Sequence, residues 1–391
     1  MDRKFIRISE KVADFVCGAD ADHSSEMFNS LALEVFEYQY RSIKPYRRLC
    51  QHKDKTPETV QSWSEIPAVP ADAFKQFTLF TGQPDQIAKT FRSSGTTDPR
   101  NSSKSHFSAI GLDLMNTAVA VNAARMLFPD NRRTRILALA PSPEIAPHMI
   151  MVNGMSHMIR QFGAEGSRFC IGAQGLDVKS LLDELLECEK DETPVTLMGA
   201  SFGFVHLFDQ MEESGRRFAL PDGSRLMDAG GYKGRSRELE RTEFVERACA
   251  SLGLPPERVV NLLGMTELAS QIYDGTLARS ICGPVDAAAM GMKEAPHWVR
   301  TRIVDPTSLE SGDLGEIRDG RRPGLLRHLD LANVERPMVV QSDDIGLWRE
   351  SGDVAGFEIL RRAKGSEPRG CSLSVEEFSR LRSDSTFGDS P

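Results

Sequence analysis

Short apolar runs alternate with longer stretches of helical periodicity through the middle of the chain. The runs at 136–140, 195–198 and 258–263 are rich in leucine and β-branched residues, which is typical of buried strands. The segments 108–127 and 176–190 predict helices, and the apolar residues at helical spacing in the second segment are Leu181, Leu182, Leu185 and Leu186. Helices that alternate with such strands predict an α/β fold with a parallel or mixed sheet.

The two ends of the chain have different patterns. The first ninety residues predict mainly helix, with a segment rich in leucine, phenylalanine and tyrosine at 27–49. From Trp298 onward the pattern changes to strands and turns. We therefore divide the chain into a mostly helical part of the large domain (1–90), an α/β core (91–297), a β-rich part of the large domain (298–360) and a C-terminal segment (361–391).

Composition excludes several classes of protein. The chain has 391 residues, of which 40% are hydrophobic and 27% are charged, as expected of a globular protein. Its net charge of −8 argues against a nucleic acid partner. No apolar run is long enough to span a membrane, and the N-terminus lacks the apolar core of a signal peptide. The 7 cysteines are scattered without metal-ligand spacing, so we expect a cytoplasmic protein without disulfides.

A cluster of hydroxyl residues follows Phe91 and Arg92. Its members are Ser93, Ser94, Gly95, Thr96 and Thr97. Hydroxyl and backbone N–H donors around a glycine can converge on an anion such as a polyphosphate. The segment lacks the Gly-Lys-Ser/Thr ending of a Walker loop, and a plain surface loop is an alternative interpretation.

A second motif follows the strand predicted at 258–263. Its residues are Gly264, Met265, Thr266 and Glu267, and the carboxyl end of a strand is where open α/β sheets bind ligands. The Thr266 hydroxyl suits a phosphate oxygen, and the Glu267 carboxylate suits Mg²⁺. The alternative is a helix N-cap, with Thr266 followed by an acidic first turn.

These two motifs, in this order, resemble those of the adenylate-forming superfamily of acyl-CoA synthetases and luciferase-type ligases. The resemblance implies ATP and Mg²⁺ as cofactors and an adenylate-forming large domain with a truncated C-terminal subdomain. It also gives roles to further residues: Gly230 and Gly231 as the adenine-side turn, Asp344 as the ribose ligand, Arg362 at the hinge, and His148 in the region that lines the carboxylate pocket. Local turns and a structural histidine are the alternatives for these positions.

Within the superfamily, the chain from about residue 28 to its end is most similar to acyl-protein synthetases of the LuxE type. In that family a fatty acid is adenylated with ATP and then held as a thioester on a C-terminal cysteine, from which an acyl reductase receives it. Cys371 matches that cysteine, and the neighbouring Arg369 would lower its pKa and favour the nucleophilic thiolate. A small buried thiol without a chemical role is the alternative.

Two departures from the superfamily pattern keep other functions open. Asp98 places a negative charge beside the predicted phosphate loop, which Lys104, Arg100 or Mg²⁺ would have to offset. Only 27 residues follow Lys364, the residue at the predicted hinge, and none of them matches the catalytic lysine of the superfamily. The alternatives are an acyl-CoA or amide ligase of the same superfamily and a non-catalytic ATP-binding scaffold subunit.

Overall fold

The structure is a computed structural model that describes residues 2–18, 24–93, 102–230, 239–305 and 322–362. The helices are α1 Arg3–Cys17, α2 Ser25–Ser42, α3 Lys44–His52, α4 Ala73–Gln76, α5 Ala109–Met126, α6 Ile150–Phe162, α7 Val178–Lys190, α8 Ser201–Glu213, α9 Arg241–Leu252 and α10 Thr276–Cys282. The strands are β1 Val69–Pro70, β2 Lys89–Arg92, β3 Lys104–Phe107, β4 Arg135–Pro141, β5 Arg168–Gly172, β6 Gly175–Leu176, β7 Val195–Ala200, β8 Arg225–Ala229, β9 Val259–Leu263, β10 Ile272–Asp274, β11 Lys293–Glu294, β12 Val299–Val304, β13 Gly324–Asp330, β14 Val339–Ser351 and β15 Val354–Arg362. Across the described residues, no helix combines the length and the hydropathy that a membrane crossing requires.

The chain forms two compact units that do not follow its linear order. The first unit contains residues 1–118, 265–270 and 295–391, and the second contains residues 119–264 and 271–294. The chain therefore passes from one unit to the other at 118/119, 264/265, 270/271 and 294/295. The four consecutive parts that the sequence suggests stay a prediction.

The first unit combines N-terminal helices with antiparallel strands. Helices α1, α2 and α3 pack through aromatic contacts, among them Phe15 against Phe28 and Phe36 against Tyr46. Strands β12, β13, β14 and β15 are hydrogen-bonded in that order and are antiparallel. Strand β1 pairs in parallel with the start of β14, and β2 and β3 form a separate antiparallel ribbon.

The second unit is built on a mostly parallel sheet. Its described strands are ordered β11-β10-β9-β8-β7-β4-β5-β6, and β5, β4, β7, β8 and β9 are parallel. Alternate residues of each strand point to opposite faces of a sheet, so the apolar runs can cover both faces. One face packs against α7, α8 and α9 through Leu137, Leu139, Leu197 and Leu226. The other packs against α5, α6 and α10 through Ile136, Ala138, Met198 and Val260.

The structure confirms the predicted helices and strands of this region, with small differences. The helix predicted from residue 176 begins at Val178, because Leu176 belongs to β6. Leu181, Leu182 and Leu185 are buried as expected, whereas Leu186 is 39% exposed. The segment rich in leucine, phenylalanine and tyrosine at 27–49 contains most of α2 and the start of α3, which are separated by Ile43, and α3 has Pro45 in its first turn.

A lysine is buried in the second unit. Lys293 of β11 is 4% exposed, and its Nζ donates a hydrogen bond of 2.6 Å to the carbonyl oxygen of Asn261. Burial lowers the pKa of Lys293 from 10.5 to about 8, although the nearby Asp274 opposes this effect. The folded protein therefore favours the neutral amine more than the unfolded chain does.

This lysine predicts a rise of stability at alkaline pH. Between about pH 8 and pH 10.5 the unfolded chain holds a proton on Lys293 that the folded protein has released, so the free energy of unfolding increases with pH. The increase reaches about 3 kcal/mol over this interval. Urea unfolding of the wild type and of Lys293→Met, measured in steps across the interval, tests it. The substituted protein lacks this increase, and an identical pH dependence of the two proteins would contradict the assignment.

Candidate functional site

Ser93, the first residue of the predicted phosphate loop, directly follows β2 and contacts Ser103, which directly precedes β3. The Ser93 N–H donates to the Ser103 carbonyl oxygen at 3.0 Å, and the Ser103 N–H donates to Ser93 Oγ at 2.9 Å. These two bonds join the residues on either side of the loop, and Ser103 is buried. Ser94, Gly95, Thr96 and Thr97 lie outside the described residues, so their roles stay predictions.

The second motif lies in a turn. Gly264 follows β9 and is exposed, Met265 is half-buried, and Thr266 and Glu267 are buried. No helix begins at Thr266 or Glu267, so the N-cap alternative is wrong. The buried carboxylate of Glu267 therefore has a different role from that of an exposed acidic residue in a first helical turn.

The Glu267 side chain lies beside Ser103, the residue that precedes β3. It makes a hydrogen bond with the side chain of Ser103, and it is within electrostatic range of Arg362 and Lys75. Burial raises the pKa of Glu267, whereas Ser103 and the two cations act in the opposite direction. A further cation close to this buried carboxylate would stabilise its ionised form. The ionised form is the one that binds a metal ion.

Asp344 and Arg362 occupy facing positions on neighbouring strands. They are direct partners in the register of β14 and β15, and the guanidinium of Arg362 lies 3.8 Å from the carboxylate of Asp343. Burial raises the pKa of Asp344; Arg362 lowers it and Asp343 raises it further. Because Arg362 acts on both Asp344 and Glu267, the structure brings three of the predicted site residues into one electrostatic cluster.

A turn that the sequence did not single out holds the second motif in place. We call residues 330–338, between β13 and β14, the anchoring turn. Asp330 is fully buried and accepts hydrogen bonds from the N–H groups of Ala269 (3.0 Å) and Ser270 (2.8 Å), and from the Ser270 hydroxyl (2.8 Å). The two residues bonded to Asp330 follow Glu267 closely in the chain, so this carboxylate fixes the path of the motif.

The anchoring turn also contacts the motif and the ribbon directly. The Asn333 side chain donates to the carbonyl oxygen of Glu267 at 2.8 Å, and Arg336 donates to Asn333 Oδ1 at 2.6 Å. Arg336 also donates to the carbonyl oxygen of His106 at 3.2 Å, and its guanidinium lies 3.6 Å from the centre of the Phe107 ring. A chain of buried contacts therefore connects Glu267 to β3, the strand that leaves the predicted phosphate loop.

Helix α2 also forms hydrogen bonds with the anchoring turn. The Gln39 amide nitrogen donates to the carbonyl oxygens of Asn333, Val334 and Arg336, and its side-chain oxygen accepts from the N–H of Met338. Gln39 is fully buried. A polar side chain on the apolar face of an amphipathic helix was the sequence signal that could have marked Gln39 as a residue with a buried polar partner.

Two other predicted site residues belong to the second unit. Gly230 directly follows β8, is exposed and has a φ of 73°, a left-handed conformation that suits glycine. His148 is exposed in the turn before α6, whereas Met155 and Met158 of α6 are buried in the core. Gly231 lies outside the described residues.

The predicted acyl-carrying residue, Cys371, also lies outside the described residues. Burial raises the pKa of Cys50 to about 12 and that of Cys170 to about 11, so neither thiol is reactive at neutral pH. Cys17 and Cys282 are exposed, and they are the appropriate comparison positions for any labelling experiment.

Comparison with known proteins decides the family. The model of the family described as "Acyl-protein synthetase, LuxE" matches residues 3–379. The chain belongs to the LuxE acyl-protein synthetase family. This LuxE-family protein is therefore an acyl-AMP-forming ligase, which activates an acid with ATP and transfers the acyl group.

Curated relatives cover most of this LuxE-family chain. It is 24% identical over 366 residues to the long-chain-fatty-acid–luciferin-component ligase of Vibrio harveyi, covering 92% of this chain and 90% of the relative. The protein of the same name from Aliivibrio fischeri is also 24% identical over 366 residues, covering 90% and 89% of the two chains.

Solved structures confirm the predicted fold class. The 2-hydroxyisobutyryl-CoA ligase in complex with 2-HIB-AMP and CoA matches with a TM-score of 0.62 and 14% identity, covering 89% of this chain and 69% of the ligase. The open conformation of that ligase matches with a TM-score of 0.61 and 14% identity, and the match covers 84% of this chain and 65% of the ligase. The LuxE-family protein thus has the fold of adenylate-forming ligases.

The contact between the anchoring turn and the motif generates a prediction. Asn333→Ala removes the donor to Glu267 and the acceptor for Arg336, which leaves buried polar groups without partners and lowers the free energy of unfolding by about 1–3 kcal/mol. We also expect the exchange of pyrophosphate into ATP that depends on added fatty acid to slow, because the carboxylate of Glu267 loses its fixed position. Urea unfolding and the exchange rate measure the two effects.

A second asparagine of the same unit provides the control. Asn29 of α2 also makes hydrogen bonds to backbone groups, those of Gln61 and Trp63. Asn29→Ala is expected to reduce stability and leave the exchange rate unchanged. Equal losses of exchange activity in the two variants would contradict a specific role for Asn333.

Proposed function

We propose that the protein activates a long-chain fatty acid as acyl-AMP, transfers the acyl group to the thiol of Cys371, and delivers it to an acyl reductase. The names of the curated relatives support the choice of a fatty acid. In the first step a carboxylate oxygen of the acid attacks the α-phosphorus of ATP. A new P–O bond forms, the bond to the β-phosphate oxygen breaks, and pyrophosphate leaves with the additional negative charge.

The observation that carries the proposal is the position of Glu267. Its buried carboxylate lies beside Ser103 at the base of the phosphate loop, with Arg362 and Lys75 within electrostatic range. Negative charge accumulates on the phosphates as pyrophosphate leaves, so catalysis needs cations and N–H or O–H donors there. Ser93, Ser94, Gly95, Thr96 and Thr97 would supply donors from the loop, and Thr266 would supply a hydroxyl from the motif.

Magnesium fits the chemistry of this cluster. Mg²⁺ is usually held by one or two protein carboxylates together with substrate phosphates and water. Among the described residues, no group of three or more His, Cys, Asp or Glu side chains could hold a metal by itself. Glu267 would therefore hold the ion jointly with ATP, and the ion would neutralise charge on the phosphates.

The nucleotide and the acid have proposed contacts as well. Asp344 would accept hydrogen bonds from the ribose hydroxyls, Gly230, Gly231, Gly264 and Met265 would contact the nucleotide, and Arg362 would act at the hinge. His148, exposed before α6, would cover the carboxylate of the acid. These assignments rest on the resemblance to the superfamily and on the positions reported above.

In the second step the thiolate of Cys371 attacks the carbonyl carbon of the acyl adenylate. A C–S bond forms, the bond from the acyl carbon to the phosphate oxygen breaks, and AMP leaves. Coenzyme A or an amine would replace Cys371 as acceptor in the alternative ligases, and a scaffold subunit would catalyse neither step. A cytoplasmic location completes the proposal, since the acyl reductase and ATP would both be available there.

The first half-reaction is tested by substitution of Glu267. Glu267→Gln keeps the size of the side chain but loses the charge that would hold Mg²⁺, so we expect fatty acid-dependent exchange of pyrophosphate into ATP to fall about 100- to 1000-fold. Glu184→Gln is the matched control, because Glu184 is also shielded and pairs with Arg168 at 2.6 Å, yet has no proposed role in catalysis. Near-normal exchange by Glu267→Gln would remove the metal assignment.

The second half-reaction is tested by substitution of Cys371. Cys371→Ser is expected to keep the exchange activity but to retain no radiolabelled acyl group after denaturation, because a serine hydroxyl without a base is a poor nucleophile. Hydroxylamine at neutral pH should release the label from the wild type. Cys17→Ser and Cys282→Ser are the controls and should label normally. Full labelling of Cys371→Ser would favour a ligase that uses CoA or an amine.

A further inference from the structure

A buried carboxylate network lies at the end of β8 in the second unit. Asp228 of β8 is 2% exposed, and one of its oxygens, Oδ2, accepts hydrogen bonds from the Ser201 hydroxyl (2.8 Å) and from the Asn261 amide (2.9 Å). The other oxygen, Oδ1, accepts a hydrogen bond from Arg241 at 2.6 Å. Three neighbouring elements therefore converge on this single carboxylate.

The network reaches the backbone of Gly230. The Ser201 hydroxyl lies 2.9 Å from the carbonyl oxygen of Gly230 as well as bonding to Asp228. Gly230 has a φ of 73°, and a Cβ added there would meet no atom within 4 Å. The Ser201 hydroxyl, shared between Asp228 and this carbonyl oxygen, is a described donor that can orient the Gly230 peptide group.

Arg241 connects the same carboxylate to the chain beyond the turn. It is the first residue of α9, and it donates to Asp228 and to the carbonyl oxygen of Val259 at 2.9 Å. Gly230 and Arg241 stand on either side of residues 231–238 in the sequence. Both are therefore held by contacts that include Asp228, one through Ser201 and the other directly.

We propose that Ser201, Asp228 and Arg241 are positioning residues for the nucleotide, which hold Gly230 in the conformation that binds ATP. The proposal rests on the role given to Gly230 under the proposed function. None of the three side chains has to touch ATP, because each acts through the position of Gly230. They should therefore affect ATP affinity and leave the chemical step at saturating ATP nearly unchanged.

Two substitutions test the proposal. Ser201→Ala and Arg241→Gln should each weaken ATP binding by about tenfold, as measured by calorimetry and by the KM for ATP in pyrophosphate exchange, with kcat close to that of the wild type. Ser201→Thr keeps the hydroxyl and should restore most of the affinity. Because Arg241 is partly exposed, its substitution tests the proposal even if Ser201→Ala folds poorly.

The matched control lies on β7, the strand that leads to Ser201. Thr196 is fully buried and its hydroxyl pairs with that of Thr134 at 2.6 Å, so Thr196→Val also removes a buried hydroxyl. This variant should bind ATP as the wild type does, whatever its loss of stability. Unchanged ATP affinity in both test variants, or an equal loss in Thr196→Val, would overturn the proposal.

Failure of the proposed function and failure of the positioning role give different experimental results. If the wild type catalyses no fatty acid-dependent exchange, the proposed function fails, whatever the variants show. If the wild type exchanges pyrophosphate and Glu267→Gln does not, while Ser201→Ala and Arg241→Gln keep normal ATP affinity, the positioning role alone is wrong.

Discussion

The arrangement of the first unit depends on the buried carboxylate of Asp330. Its three hydrogen bonds to Ala269 and Ser270 fix the segment that carries Thr266 and Glu267, a segment that contains neither a helix nor a strand. Burial raises the pKa of Asp330, whereas the donors from Ser270 lower it. Irregular backbone that is buried needs a partner for each polar group, and a carboxylate with three donors meets this need in a small volume.

The buried charges of the anchoring turn lie near charges of opposite sign. Arg336 is 1% exposed, and although burial lowers its pKa to about 10, it stays charged at neutral pH beside Glu335. Removal of one member of such a network leaves another charge buried without a partner, which costs more than the lost hydrogen bond itself. The network thus makes the position of Glu267 depend on residues that never contact a substrate.

The local spacing of apolar residues predicted the helices and strands of the second unit well, but it gave no indication of the anchoring turn. Leu181, Leu182 and Leu185 face the core because helical spacing alone puts them on one side of α7. Leu186 has the same spacing but is exposed, because burial depends on how wide a strip of the helix the sheet covers. The contact between Gln39 and Asn333 joins residues 294 positions apart, so the local pattern could mark Gln39 as a buried polar residue but could not name its partner. The resemblance predicted roles for Glu267 and Asp344, whereas no sequence motif singled out Ser201 or Asp228.

The route of the chain between the two units has a consequence for dissecting the protein. Because the chain changes unit at 118/119, 264/265, 270/271 and 294/295, a single cut leaves at least one unit without part of its own sequence. Truncation from either terminus removes part of the first unit, whose three segments are separated by the two segments of the second unit. Genetic exchange between homologues meets the same constraint, so the first unit cannot be acquired or replaced as one contiguous segment. The first unit is therefore expected to evolve, and to tolerate fusion, only together with the segments of the second unit that interrupt it.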